Sequence, residues 1–362
     1  MMSITTQRTI LGRSISRHLS LTNAYQQRRN LATPTGNGEH VRIVEVSPRD
    51  GLQNEKGLIP ASTKVELIHK LRKAGAECIE SGSFVSPKWV PQMKDTAEIL
   101  RTMQIDSTIS HPVLVPNDKG LDLLLKLLEG YGSDKSQWPT DEIAIFTAAS
   151  EDFCKANTNC SIEESLQRLA KVTQRALEAG LRVRGYISVV AHCPYQGKVK
   201  PESSGEIAEQ LLQMGCYEIS LGDTVGSASP TEMVQVLKSC LQKTSGKNGG
   251  DVSKYAAHCH DTMGTGLANV LALVREGVRS VDSAVGGLGG CPYSPGATGN
   301  IDTESVVYGL HAEGYQTGIN LEEAAKIGQW ISDQVGKQNN SSAGRAILAR
   351  LARQERETSA KL

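Results

Sequence analysis

Two histidines separated by one residue, His258 and His260, stand just before a glycine-rich turn in HCHDTMGTGLANV, residues 258–270. Side chains of an extended strand alternate between its faces, so both imidazoles point one way and Cys259 the other. Two same-facing imidazoles can share one metal ion; two semi-buried histidines with no common ligand are the alternative. Asp50 offers a carboxylate, with an N-cap or a salt bridge to Arg49 as its structural reading. Asn300 can add an amide oxygen. One carboxylate, two imidazoles and an amide, without thiolate, suit a six-coordinate Mg2+ or Mn2+ better than structural zinc, and leave positions open for substrate oxygens.

Arg49 would be a second fixed positive charge beside such an ion, useful where a carbonyl oxygen gains charge in an enolate-like transition state. Its structural alternative is an ion pair with Glu80, and both roles can hold together. Cys291 lies between glycines in GLGGCPY, a setting that lets the backbone bend sharply. A thiol there can pass a proton to or from carbon if its pKa is brought near working pH; an inert cysteine in a turn is the other reading. Cys193, in HCPYQGK, has no comparable setting and reads as structural.

These residues need elements that converge. From residue 41 the chain alternates short β-branched runs with helical stretches. The strands are expected at 41–46, 77–81, 108–115, 142–148, 183–190, 217–222, 255–260 and 280–287. Amphipathic helices between them, such as 62–75 and 162–180, close on glycine, the residue favoured just past a helix end. Strand and helix repeated eight times predict a (β/α)8 TIM barrel, and about 250 residues is its usual size. A doubly wound sheet is the rival, but no strand is followed by GxGxxG. In such a barrel chemistry sits at the C-terminal ends of the strands. Arg49–Asp50, Glu80, Asp223–Thr224, His258–His260 and the Cys291 loop all fall there.

The division expected is a targeting or disordered segment over 1–38, the catalytic barrel over 39–320 and a helical extension over 321–362. The first segment carries Arg8, Arg13 and Arg17 among Ile10, Leu11, Ile15 and Leu19 and meets its first acid at Glu39. That pattern is a mitochondrial transit peptide, with a plain basic tail as the alternative. The terminal SAKL is close to a peroxisomal address, so a second pool stays open. Net charge is zero, which gives no electrostatic argument for nucleic acid or membrane surface. No apolar run approaches the ~20 residues of a membrane-spanning helix. Eight cysteines without a CxxC pair argue against a zinc knuckle or a disulfide framework.

The stretches VSPRDGLQNE, SFVSPKWVPQM, NCSIEES, RGYISVVAHCPYQGKV, GCYEISLGDTVG, HCHDTMGTGLAN and GGLGGCPYSPGATGN closely resemble the 3-hydroxy-3-methylglutaryl-CoA lyase family. The likeness covers about residues 41–320. The Asp-Gly-Leu-Gln element and H-x-H also resemble the wider group of isopropylmalate and homocitrate synthases, whereas GLGGCPY distinguishes the lyases. The resemblance implies retro-Claisen cleavage to acetoacetate and acetyl-CoA, a step of leucine catabolism and ketone-body formation, and a homodimer through the outer helices. It implies that Asp50, His258, His260 and Asn300 hold a divalent cation, and that Arg49 stabilises the enolate. Glu80 would support Arg49, Cys291 would protonate the enolate, and Ser83, Asp223 and Thr224 would lie near substrate. Asp50 and His258 both stand as candidates for the initiating base. Ser81-Gly82 departs from the two threonines of animal members, 131–141 and 244–253 resemble loop insertions, and 336–346 matches loosely. A paralogue acting on another 3-hydroxyacyl-CoA, or an acetyl-CoA-condensing synthase, is the alternative; a non-catalytic binding module is the third reading.

Overall fold

The computed structural model describes residues 36–245, 250–290 and 299–360. Its strands are β1 (Arg42–Glu45), β2 (Cys78–Ile79), β3 (Gly82–Ser83), β4 (Val113–Leu114), β5 (Glu142–Ala148), β6 (Arg182–Ser188), β9 (Glu218–Asp223), β10 (Tyr255–Cys259) and β11 (Ser280–Ser283), with a separate hairpin of β7 (His192–Cys193) and β8 (Gly197–Lys198). The large sheet is parallel throughout and runs β2-β1-β11-β10-β9-β6-β5-β4-β3. Its two ends belong to one segment, 78–83. The Glu80 N–H donates to the Glu45 carbonyl on one side, while the N–H groups of Ile79 and Ser81 donate to Ser110 and Pro112 on the other. The ladder therefore returns to its start, and eight strand positions close into the expected barrel with no free edge.

Sequence and structure part where local chemistry interrupts the ladder. The run 77–81 divides into β2 and β3 around Glu80–Ser81. The run 108–115 retains only Val113–Leu114 as strand, since Pro112 has no N–H to donate and serves only through its carbonyl. The run 280–287 stops at Ser283; Gly286 and Gly287, at φ 66° and 64°, turn the chain where L side chains would be strained.

Helices α1 (Ala61–Lys73), α2 (Thr96–Thr102), α3 (Asp118–Glu129), α4 (Glu151–Thr158), α5 (Ile162–Glu178), α6 (Pro201–Met214), α7 (Pro230–Thr244), α8 (Gly266–Arg275) and α9 (Thr303–Ala312) surround the sheet. Their starts are chemically marked. Ser161 and Ser229 form reciprocal capping boxes with Glu164 and Glu232. Two further helices, α10 (Leu321–Val335) and α11 (Ser342–Ser359), follow the barrel; α10 packs on α1, α9 and the turn at 285–287.

The main apolar core fills the ring between sheet and helices, with Ile43, Ile145, Val183, Ile187, Leu124 and Leu169 all buried. Inside the barrel a small separate cluster gathers Leu114, Ala144, Tyr186 and Phe146. Elsewhere in that interior ion pairs cross the barrel. Contacts between strands that are not neighbours show it: Arg184 on β6 reaches Asp282 on β11, and Arg42 on β1 reaches Glu218 on β9.

Candidate functional site

The chain leaves β1 through one wide helical turn, Ser47–Gly51, opened by Pro48. Gly51 N–H donates to the Val46 carbonyl five residues back, and that widened turn sets Arg49 and Asp50 over the barrel mouth. Arg49 Nε and Nη2 meet Glu80 Oε2 at 2.8 and 2.6 Å. Its Nη1 donates to Asp50 Oδ1 at 2.6 Å. The guanidinium carbon lies 5.4 Å from the centre of the Tyr186 ring. Tyr186 in turn accepts from Arg184 Nη1 at 2.7 Å and donates to Glu80 Oε2 at 3.3 Å. Both sequence readings of Arg49 thus coexist geometrically: it is ion-paired with Glu80 and stands at the mouth.

β10 delivers His258 and, one residue past its end, His260, with ring centres 5.4 Å apart. Ligand atoms of Asp50, His258 and His260 all lie within 4.8 Å of one another. Donors on one octahedral ion at about 2.1 Å stand about 3.0 Å apart when adjacent and about 4.2 Å when opposite. His258 Nε2 is 3.9 Å from Asp50 Oδ2, too far for a hydrogen bond and close to that range. His260 Nδ1 is buried with no hydrogen-bond partner among the described residues. A buried ring nitrogen without a protein partner, beside a carboxylate, has the lone pair and the surroundings of a metal ligand. The residues fit a hard divalent cation.

The electrostatics agree. Burial works against ionising Asp50, but Arg49, with His258 and His260 beyond it, holds its carboxyl below the ordinary carboxylate range. Burial, reinforced by His258, depresses His260 to about 4, so its ring is neutral with a lone pair to give at pH 7. Burial raises Glu80, with Arg49 opposing.

Asn300 is brought in by the last loop. Asn300 pairs with His260 in an isolated antiparallel bridge, and Ile301 N–H donates to Cys259. Its Nδ2 donates to Asp50 Oδ2 at 2.8 Å and to the Leu288 carbonyl at 3.3 Å. Half a turn about χ2 would present the amide oxygen to the same place. The neck of that loop explains two of its glycines. A Cβ on Gly299 would sit 2.6 Å from the Gly289 carbonyl carbon, and one on Gly289 would sit 2.8 Å from Asn300 Nδ2. Cys291 lies outside the described residues.

The expected substrate-side residues reach the same end of the barrel but spend their polar atoms locally. Asp223 accepts backbone N–H groups from Gly226, Ser227 and Ala228, and burial raises its pKa against those bonds. Ser83 Oγ donates to Leu114 and accepts from Val85 N–H. Thr224 Oγ1 accepts from Val189 N–H at 2.9 Å. Val189 is a β-branched residue at φ 54°, a conformation that costs on the order of 1–3 kcal/mol and survives only where the surroundings enforce it.

Four contacts of the site were not expected: Gln53, which donates to Asp50 Oδ1 at 2.7 Å, Tyr186, Arg184 and Asp282. Arg184 and Asp282 left a signal, since a charge inside the β-branched runs RVRGYIS and SVDS must be either exposed or paired.

Residues 40–331 match the HMGL-like family model. The chain is 46% identical to the hydroxymethylglutaryl-CoA lyase of Pseudomonas mevalonii over 314 residues, 87% of this chain and 99% of that one. It is 46% identical to the mitochondrial hydroxymethylglutaryl-CoA lyase of Bos taurus over 308 residues, 85% of this chain and 90% of that one. The crystal structure of hydroxymethylglutaryl-CoA lyase from Pseudomonas aeruginosa superposes with a TM-score of 0.80 at 42% identity, covering 86% of this chain and 99% of that one. With the barrel, the motifs and nearly half of all residues shared along the whole length of these relatives, the chain belongs to the hydroxymethylglutaryl-CoA lyase family.

Proposed function

We propose that the protein cleaves 3-hydroxy-3-methylglutaryl-CoA to acetoacetate and acetyl-CoA in a reaction that depends on a divalent cation. The observation that carries this reading is the meeting of Asp50, His258 and His260 within 4.8 Å of one another, with Arg49 on the neighbouring carboxylate. Asp50, His258 and His260, with Asn300 as a fourth, would hold Mg2+ or Mn2+. When bound, the ion supplies Lewis acidity toward the substrate's 3-hydroxyl and a carboxylate oxygen.

The hydroxyl proton passes to Asp50, whose carboxylate keeps lone pairs beyond the one a cation would take, whereas an imidazole that ligates through Nε2 and carries its proton on Nδ1 has none left. The C2–C3 electron pair then moves onto the thioester as an enolate, C3 becomes the ketone of acetoacetate, and no water is consumed. Arg49 has five N–H donors and aims three at carboxylates, so two remain for the enolate oxygen. Its two ion pairs fix the guanidinium before charge develops, which is the condition for electrostatic stabilisation of a transition state. Glu80 holds Arg49 and does not itself meet substrate. Cys291 would return a proton to C2. Ser83, Asp223 and Thr224 would shape the wall facing the acyl chain, Thr224 by restraining Val189. The condensing alternative has no observation of its own, since the curated relatives at 46% identity are lyases.

The basic segment 1–38, of which residues 1–35 lie outside the described ones, supports a mitochondrial location, as does the name of the bovine relative. The terminal residues 361–362 are also outside, and a peroxisomal pool rests on SAKL alone. A homodimer rests on the resemblance.

Purified protein with Mg2+ or Mn2+ should release acetyl-CoA from 3-hydroxy-3-methylglutaryl-CoA in a coupled assay and stop when EDTA is added. Absence of metal-dependent product would refute the assignment. Arg49→Met should lower kcat by about 10²–10³-fold while Mn2+ still binds, because the contact acts in the transition state. A near-wild-type kcat would remove Arg49 from the mechanism.

A further inference from the structure

His258 on β10 is paired in register with Asp282 on β11, and both side chains face the barrel interior. His258 Nδ1 lies 3.0 Å from Asp282 Oδ2. The same oxygen accepts from Ser220 Oγ at 2.6 Å, and Oδ1 accepts from Arg184 Nη2 at 2.6 Å. Arg184 is itself spanned across the interior, with Nε on Glu218 Oε1 at 2.7 Å and Nη1 on the Tyr186 hydroxyl at 2.7 Å. The second oxygen of Glu218 takes Arg42 Nη2 at 2.6 Å, at the far end of the barrel. A chain of alternating charge thus runs from Arg42 through Glu218, Arg184 and Asp282 to His258.

The carboxylate of Asp282 is surrounded by donors. An ionised carboxylate can only accept, so the ring nitrogen facing it must be the one that carries the proton. That leaves the other nitrogen, Nε2, as the bare lone pair, and Nε2 is the atom turned toward Asp50. We propose that Asp282 is a positioning residue: it selects the Nδ1–H tautomer of His258 and aims Nε2 into the cation site, with Arg184 and Ser220 bracing it from the other side. This rests on reading Asp50, His258 and His260 as the ligands. A carboxylate behind a ligating imidazole both orients the ring and raises its basicity.

Asp282→Asn tests it at constant shape. Arg184 still requires an oxygen from this side chain, so the amide nitrogen must face Ser220 and His258. His258 Nδ1 then has to accept, and its proton moves to Nε2, the nitrogen a cation needs. In metal-free protein at pH 8, long-range 1H–15N correlation spectra, with the His258 signal identified by its loss in His258→Asn, should show Nδ1–H in the wild type and Nε2–H in Asp282→Asn. Mn2+ affinity, measured by EPR titration, should fall about 10–100-fold in the variant. A purely structural role would lower the melting temperature without moving the proton, so an unchanged tautomer with Mn2+ affinity within about twofold of wild type overturns the proposal. If Asp282→Asn does not fold, the wild-type spectrum decides: Nδ1–H supports the proposal and Nε2–H overturns it. If wild-type protein binds no Mn2+, the metal reading fails by itself, and the His258 tautomer alone still supports or overturns the role of Asp282.

Discussion

The inside of the barrel and the ring around it are built from opposite materials. Between sheet and helices the contacts are mostly aliphatic, from Leu124 and Leu169 on the helices to Ile145, Val183 and Ile187 on the strands. Inside, side chains of the same strands meet as ions: Arg184 with Asp282 and Glu218, and Arg49 with Glu80 at the mouth. Apolar burial contributes about 25 cal/mol per Å² without any demand on direction, so the ring can supply stability. Buried ion pairs barely offset the loss of hydration and are poor stabilisers, but they fix positions and angles. The interior therefore reads as a frame for the site, and the ring as what keeps the frame closed.

That division can be broken at several points. The largest effect is expected from Arg184→Met, which leaves Asp282 and Glu218 buried with one partner fewer. Loss of one member of such a network costs about 3–5 kcal/mol. Urea denaturation should show it, and a cost below about 1 kcal/mol would mean the interior charges are not mutually dependent. Leu124→Ala, in the ring, should cost about 3 kcal/mol through lost burial and a cavity. Mn2+ affinity should stay unchanged in this variant, whereas a weakened site would show the two regions to be coupled.

The smallest effect sharpens the contrast, because the ring holds a polar exception. His111 is 4% exposed, with Nδ1 on Ser81 Oγ at 3.0 Å and Nε2 without a partner among the described residues. Burial pushes its pKa down from 6.5 to about 4, with Asp141 opposing. The unfolded chain takes up this proton first, so the contribution is complete above about pH 6.5 and lost as pH falls toward about 4. The slope is at most about 1.4 kcal/mol per pH unit. Between pH 7 and 5, wild type should lose about 2 kcal/mol more than His111→Leu in paired urea titrations. Equal losses would show that His111 is already charged in the folded protein.

Legibility followed the regularity of the pattern. Strands β5, β6, β9 and β10 fell within two residues of their predicted bounds; in β5 and β6 the β-branched residues leave little choice of conformation. β2 and β4 were harder. Their short segments depend on hydrogen bonds from neighbours, and Pro112 and the break at Glu80–Ser81 act only once those neighbours are in place. Among site residues, the histidine pair and Arg49–Asp50 were visible because their spacing is local. Asp282 and Arg184 showed only as charges inside strands, and their roles did not show, because each matters through a partner 24 or 98 positions away.

The order of strands and helices, the polar residues at strand ends and the glycines at the loop neck were written in the chain itself, because each depends on neighbours a few residues off. Closure of the barrel decided the rest. It set which carboxylate stands behind His258 and which cation spans the interior. Such pairings join groups distant in sequence across a shared interior, and only a folded backbone determines which of them come within hydrogen-bonding reach.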